Sequence, residues 1–265
     1  MNSEDSFTDV SSLSVRFAIE SGCGIFSAAS VAPIISIVDK AIVSNASGLE
    51  PLIPCLLNGF KNLFTQPHVF LKHPSFLMIW AVYSGTYIVA NCTEALCERQ
   101  ARSSFYPKFV SSSTTNVSLS VLKDKAFARM FGTATLRPLP LVSYGLFAIR
   151  DSATIFASFS IPGPLSSHMQ TVHGYSAGFA DNFSQLLTPI TMQIFSTPLH
   201  LHGLDLYNRH SATPVERLSF IRQEYVKTML ARMARIFPAF SIGGVLNKRV
   251  RYEAKQMMKT TGLAS

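Results

Sequence analysis

The run SGCGIFSAASVAPIISIV, Ser21 to Val38, passes through eighteen residues without an Asp, Glu, Lys or Arg. As a helix it reaches about 27 Å at 1.5 Å per residue, close to the ~30 Å hydrocarbon core of a bilayer. Two further uncharged runs have similar length: HPSFLMIWAVYSGTYIVANCT, His73 to Thr93, and NFSQLLTPITMQIFSTPLHLHGL, Asn182 to Leu204. Runs of this kind fix the class, because backbone polar groups in lipid are satisfied only within helices or closed barrels. The chain reads as a polytopic helical membrane protein.

Composition agrees. Of the 265 residues, 48% are hydrophobic and 14% charged, against roughly 25% charged in a soluble domain. Mean hydropathy is +0.25. The net charge of +8 and pI near 9.5 are scattered through the chain in short groups, so no nucleic-acid partner is expected. Cys23, Cys55, Cys92 and Cys97 have no CxxC spacing and read as unpaired thiols packed among helices. Met1 to Asp9 is acidic and Ser-rich, unlike a secretory signal or a transit peptide, so no cleavable presequence is expected.

Three weaker segments complete the set of spans. Ser111 to Leu122 is uncharged but rich in Ser and Thr. Pro138 to Ile149 continues through Arg150-Asp151 to about Ile161, and Ile236 to Asn247 is short with basic flanks. Their polar residues, among them Asn116, Ser118, Ser120, Arg150 and Asp151, need a bundle interior or a watery cavity to face. Lys123-Asp124-Lys125 is read as the short connection between the two middle spans. Between Gly174 and Gly178 a GxxxG spacing fits either close helix packing or an ordinary loop and helix start. Thr213-Pro214-Val215-Glu216 is a capping box with proline at the first helical position. Behind it Leu218, Ile221, Tyr225 and Met229 share one face, which predicts a short helix along the membrane surface or in an extramembrane loop. Leu52 to Phe64 is its less regular counterpart, and Pro162 to Tyr175 reads as a loop.

The fold class expected is therefore all-α. It is a bundle of six transmembrane helices in three pseudo-repeats of helix, surface helix and helix, with short amphipathic surface helices. An acidic tail over residues 1–13 precedes a single membrane domain over 14–265, its repeats lying at about 14–100, 109–162 and 174–258. Pro33 and Pro198 are the expected helix kinks.

This order, with Ala32-Pro33 and Thr197-Pro198 late in odd-numbered spans, resembles the mitochondrial carrier family. The resemblance is looser to fungal and algal carrier-like proteins around Ala128-Arg129 and Arg235 to Asn247. It implies residence in the mitochondrial inner membrane and a central cavity closed by ion pairs after the prolines. The pattern is degenerate: the acidic positions hold Ile35, Ser120 and His200, the basic ones Val38, Lys123 and Gly203, and Tyr252-Glu253 is followed by Gln256. Asp39 and Asp205 lie more than a turn beyond the acidic positions, so they are not expected to replace the missing partners.

Two functions follow from the resemblance. One is a structural or accessory subunit of an inner-membrane complex, with respiratory or ATP-synthase subunits as partners. The other is an exchanger of a small anionic metabolite. Solute candidates are Lys123, Arg150, Asp151, Asn116 and Gln193, with Arg150-Asp151 readable equally as a helix-end pair. Arg232 and Arg235 are candidates for lipid headgroups such as cardiolipin, for a partner subunit, or for snorkelling to the interface. His200 and His202 point about 200° apart on a helix, so no metal is expected, and no cofactor. No P-loop, GxSxG, HExxH or dinucleotide fingerprint is present, and an enzyme is not expected.

Overall fold

The computed structural model describes residues 3–132 and 138–260. Residues 133–137, part of the segment expected to join the middle spans, lie outside the described residues, as do Met1 and Asn2 of the expected acidic tail. From Ser3 that tail is the first turns of α1 (Ser3–Ser47). There follow α2 (Leu52–Thr65), α3 (Pro67–Lys72), α4 (Pro74–Arg99), α5 (Phe105–Phe131), α6 (Leu141–Phe159), α7 (Pro162–His173), α8 (Ala177–Asn208), α9 (Pro214–Phe237), a π-helical turn (Pro238–Gly244) and α10 (Val245–Thr260). No strand occurs among the described residues.

Among the described residues three stretches are long and apolar enough to cross a membrane: Leu13–Ser47, Pro74–Arg99 and Pro214–Met258. The first two contain the uncharged runs that open the sequence reading. The third uncharged run lies in α8, which is not among these stretches: Thr188, Gln193, Ser196, Thr197 and His200 on its buried side lower its hydropathy although the run itself holds no charge. The long helices meet their neighbours in cyclic order, α1 with α4, α4 with α5, α5 with α6, α6 with α8, α8 with α9, and α9, the π turn and α10 with α1.

Packing explains this order. Ala28, Val31, Ala32 and Ile35 of α1 are fully buried. A Cβ on Gly24 would sit 3.1 Å from the Ile88 nitrogen and 3.2 Å from Tyr87 Cβ, so glycine there lets α1 and α4 approach closely. The GxxxG glycines do no such thing. Gly174 caps α7 at φ +68°, and a Cβ on Gly178 would meet nothing. Proline 198 has no N–H to donate to the carbonyl four residues back, Ile194, and the Tyr225 hydroxyl donates to that oxygen at 2.9 Å.

Several expectations need correction. Lys123-Asp124-Lys125 is not a connection but lies two turns inside α5, which runs on to Phe131. Pro162 to His173 is helix α7, started by a proline at its first position. The Thr213 capping box forms, but α9 continues unbroken to Phe237 instead of ending as a surface helix. Its inward face is polar (Glu224, Thr228, Arg232), while Val215, Leu218, Val226 and Leu230 are exposed. That inversion is expected where the surroundings are lipid. The three connections also differ: two short helices join α1 to α4, while α8 turns directly into α9.

Candidate functional site

Between α1, α4, α5, α6 and α9 lies a cavity of about 260 Å³. One end is made of charge. Arg235 of α9 pairs with Asp39 of α1, and the other oxygen of Asp39 accepts from Lys123 of α5 at 2.8 Å. Lys123 lies 2.6 Å from its neighbour Asp124, and Asp124 accepts from Arg150 of α6. Arg150 finally donates to both oxygens of Asp151, at 2.9 and 2.7 Å. The result is one chain of alternating sign, Arg235–Asp39–Lys123–Asp124–Arg150–Asp151, with three charges of each kind. Arg150 also donates to His200 Nδ1 of α8 at 2.6 Å, so this histidine presents Nδ1 as an acceptor and anchors the layer to a further helix.

Toward the other end the lining is uncharged. Asn116 donates to Thr86 across α5 and α4 at 3.2 Å, and the buried Ser113 hydroxyl finds no partner. One turn beyond the lining residues Tyr87 and Gly244, Asn91 and Asn247 exchange hydrogen bonds of 3.1 and 2.9 Å. A further turn out is a second charged layer. Arg251 of α10 bonds Glu20 of α1 and, at 2.7 Å, Glu94 of α4, and Lys108 of α5 reaches Glu94 at 2.6 Å. Glu98 beside it takes Arg16 and, at 2.9 Å, Lys255. The nineteen residues from Glu20 to Asp39 put the layers about 28 Å apart along α1, close to the thickness of a hydrocarbon core.

The π turn sits at the cavity wall for a local reason. Pro238 breaks the hydrogen-bond ladder, and Gly243 leaves the space that the Tyr87 hydroxyl fills, since a Cβ there would collide with it.

Of the residues singled out from sequence, Lys123, Arg150, Asp151 and Asn116 line this one cavity, and Arg235 joins them there rather than on the outer surface. Gln193 lies apart, between α8 and α9, where its Oε1 accepts from Arg232 at 2.8 Å and its amide donates to the Pro189 carbonyl. Arg232 is turned inward and 2% exposed, held by Gln193 and Ser196, which removes it from the lipid or partner surface. Pro33 and Pro198 both lie inside helices.

The sequence reading named Asp39, Asp124 and His200 but assigned none of them to a site, placing Asp124 in a connection and weighing His200 against a metal, and it passed over the whole second layer. It also treated displacement along α1 as disqualifying Asp39. Height in the bundle is set by the helix opposite, and Lys123 of α5 stands level with Asp39. The signal available was an ionisable residue inside or at the end of nearly every span.

Residues 23–255 match the model of a family described as probable citrulline exporter. No curated protein and no solved structure matches the chain. The match overturns the resemblance to mitochondrial carriers, to which no family model assigns the chain. Of the positions compared with carriers, Lys123 and His200 take part in the first charged layer, while Ile35, Val38, Ser120 and Gly203 carry no charge and Asp39, Asp124, Arg150, Asp151 and Arg235 supply the rest of it. Apolar helices and an exporter family make this a membrane protein of a transport class. Neither the mitochondrial inner membrane nor a respiratory or ATP-synthase assembly comes with that match.

Proposed function

Because the chain belongs to the probable citrulline exporter family, we propose that it is a multi-pass transporter moving citrulline across a membrane through the cavity between its two charged layers. The six long helices are its spans, their exposed apolar side chains facing lipid. The observation that carries this reading is the placement of a cavity, charged at one end and largely apolar along its wall, between two layers of interhelical ion pairs. A purely structural bundle has no use for such a cavity, whereas a transporter needs a site closed by a breakable contact on either side.

The chemistry follows from the pairs. Breaking a buried ion pair by removing one partner costs about 3–5 kcal/mol, so a layer opens only when its charges find other partners. The first layer joins α1, α5, α6, α8 and α9, and the second joins α1, α4, α5 and α10. Opening one layer while the other stays closed exposes the cavity to one side at a time. A solute with polar groups at the charged end supplies the replacement contacts that favour the exchange.

Thermal unfolding of the purified protein in mild detergent, titrated with citrulline, tests the reading. A ligand that binds only the folded state stabilises it by RT ln(1 + [L]/Kd), about 2.7 kcal/mol at a hundred times Kd. The expected result is a midpoint that climbs with citrulline and not with urea or sodium acetate at the same concentrations. A midpoint indifferent to citrulline contradicts the reading.

A further inference from the structure

The charged chain in the cavity has two ends, and they differ from its middle. Asp39, Lys123, Asp124 and Arg150 each touch two groups of opposite sign, and their side chains are between 1% and 8% exposed. Among the described residues Arg235 and Asp151 each touch only one, Asp39 and Arg150 respectively, and are 19% and 12% exposed. Both line the cavity. One free cationic end and one free anionic end, in a chain of zero net charge, call for a ligand that is itself neutral overall and carries both charges.

We propose that Arg235 receives the carboxylate and Asp151 the ammonium group of an α-amino-acid zwitterion, which closes the open chain of alternating charges into a ring. A guanidinium fork suits a carboxylate, and an aspartate whose other contacts come from one arginine retains acceptor capacity for an ammonium. The side chain of the solute then extends along the neutral wall, where Asn116, the unpartnered Ser113 hydroxyl and Thr86 supply donors and acceptors. Asp39 and Asp151 are the carboxylates of the lining, and both belong to the charged chain. A cationic side chain therefore meets no counter-charge along that wall, and the site selects uncharged hydrogen-bonding side chains over arginine or ornithine. An anionic metabolite, one of the alternatives raised by the sequence, would leave the Asp151 end without a partner.

This assignment rests on the exporter reading, and the two fail differently. The experiment is exchange of labelled citrulline in proteoliposomes, competed by unlabelled citrulline, glutamine, arginine, N-acetylcitrulline and citrullinamide. Citrulline and glutamine are expected to compete, and the two blocked derivatives and arginine to be at least about tenfold weaker. Asp151→Asn should weaken citrulline while narrowing its advantage over N-acetylcitrulline, and Arg235→Gln should do the same toward citrullinamide. Blocked derivatives competing as well as citrulline on the wild type overturn the assignment and leave the exporter standing. Exchange of glutamine without citrulline overturns the citrulline reading and keeps the zwitterion site. Absence of exchange for every amino acid tested sinks both. The analogue comparison uses the wild-type protein, so a variant that fails to fold does not blunt it.

Discussion

Arg150 is the residue whose loss should damage the molecule most. Its side chain is 3% exposed and carries contacts to Asp124, Asp151 and His200, which tie α5, α6 and α8 together. In Arg150→Gln, Asp151 loses its only partner in the charged chain, while Asp124 keeps Lys123. Breaking a buried pair by removing one partner costs about 3–5 kcal/mol, an upper bound here because Asp151 faces the cavity. In a protein of this size each kcal/mol moves the thermal midpoint by roughly 2–4 °C, so the variant should unfold up to about 6–20 °C below wild type. Asp151→Asn alone should cost less, about 1.5–3 kcal/mol, because Arg150 keeps two partners. The double variant removes the orphaned charge and should be more stable than Arg150→Gln. Scanning fluorimetry in one detergent measures all three. A midpoint for Arg150→Gln within about 2 °C of wild type, or a double variant no better than the single, refutes the reasoning.

Three other perturbations have definite outcomes. In Gly203→Ala the new Cβ lands 2.5 Å from the fully buried Phe147 ring, so stability should fall by about 1–3 kcal/mol in the same assay. Tyr225→Phe leaves the Ile194 carbonyl without its donor and should cost about 1–3 kcal/mol, and Pro198→Ala in that background should recover part of the loss by restoring a backbone N–H. Cys55, on the short helix α2, has its thiol pushed up to about 11 by burial first and then by Glu50. Its maleimide labelling should be slow at neutral pH and rise about tenfold per pH unit, and a plateau near the ordinary thiol value of 9.0 would contradict that environment.

What the sequence revealed depended on whether the deciding interaction was local. Ser21–Val38 and His73–Thr93 mark α1 and α4 because an uncharged run is a property of the segment itself. Thr213 and Glu216 mark the start of α9 for the same reason, their reciprocal bonds spanning three residues. Helix extent was illegible wherever a charge is paired across the bundle. Lys123 and Asp124 looked like a turn, since nothing nearby in sequence announces Asp39 or Arg150 as partners. α9 was read as a short surface helix because its apolar residues share a face; the polar side that completes the span, with Glu224 and Arg232 facing inward while Leu218 faces out, is fixed by partners on other helices. Arg150 and Asp151 were legible as isolated charges between apolar stretches, but their place at the end of an alternating chain depends on residues of three other helices.

The central claim is that this molecule carries a neutral zwitterion through its middle. Efflux of preloaded labelled citrulline from proteoliposomes, with wild type beside Lys123→Met, tests it most directly. Efflux well above that of empty liposomes, saturable and largely lost in the variant with the broken charged layer, is the predicted result. Efflux no faster than through protein-free bilayers, from protein recovered folded, would contradict it.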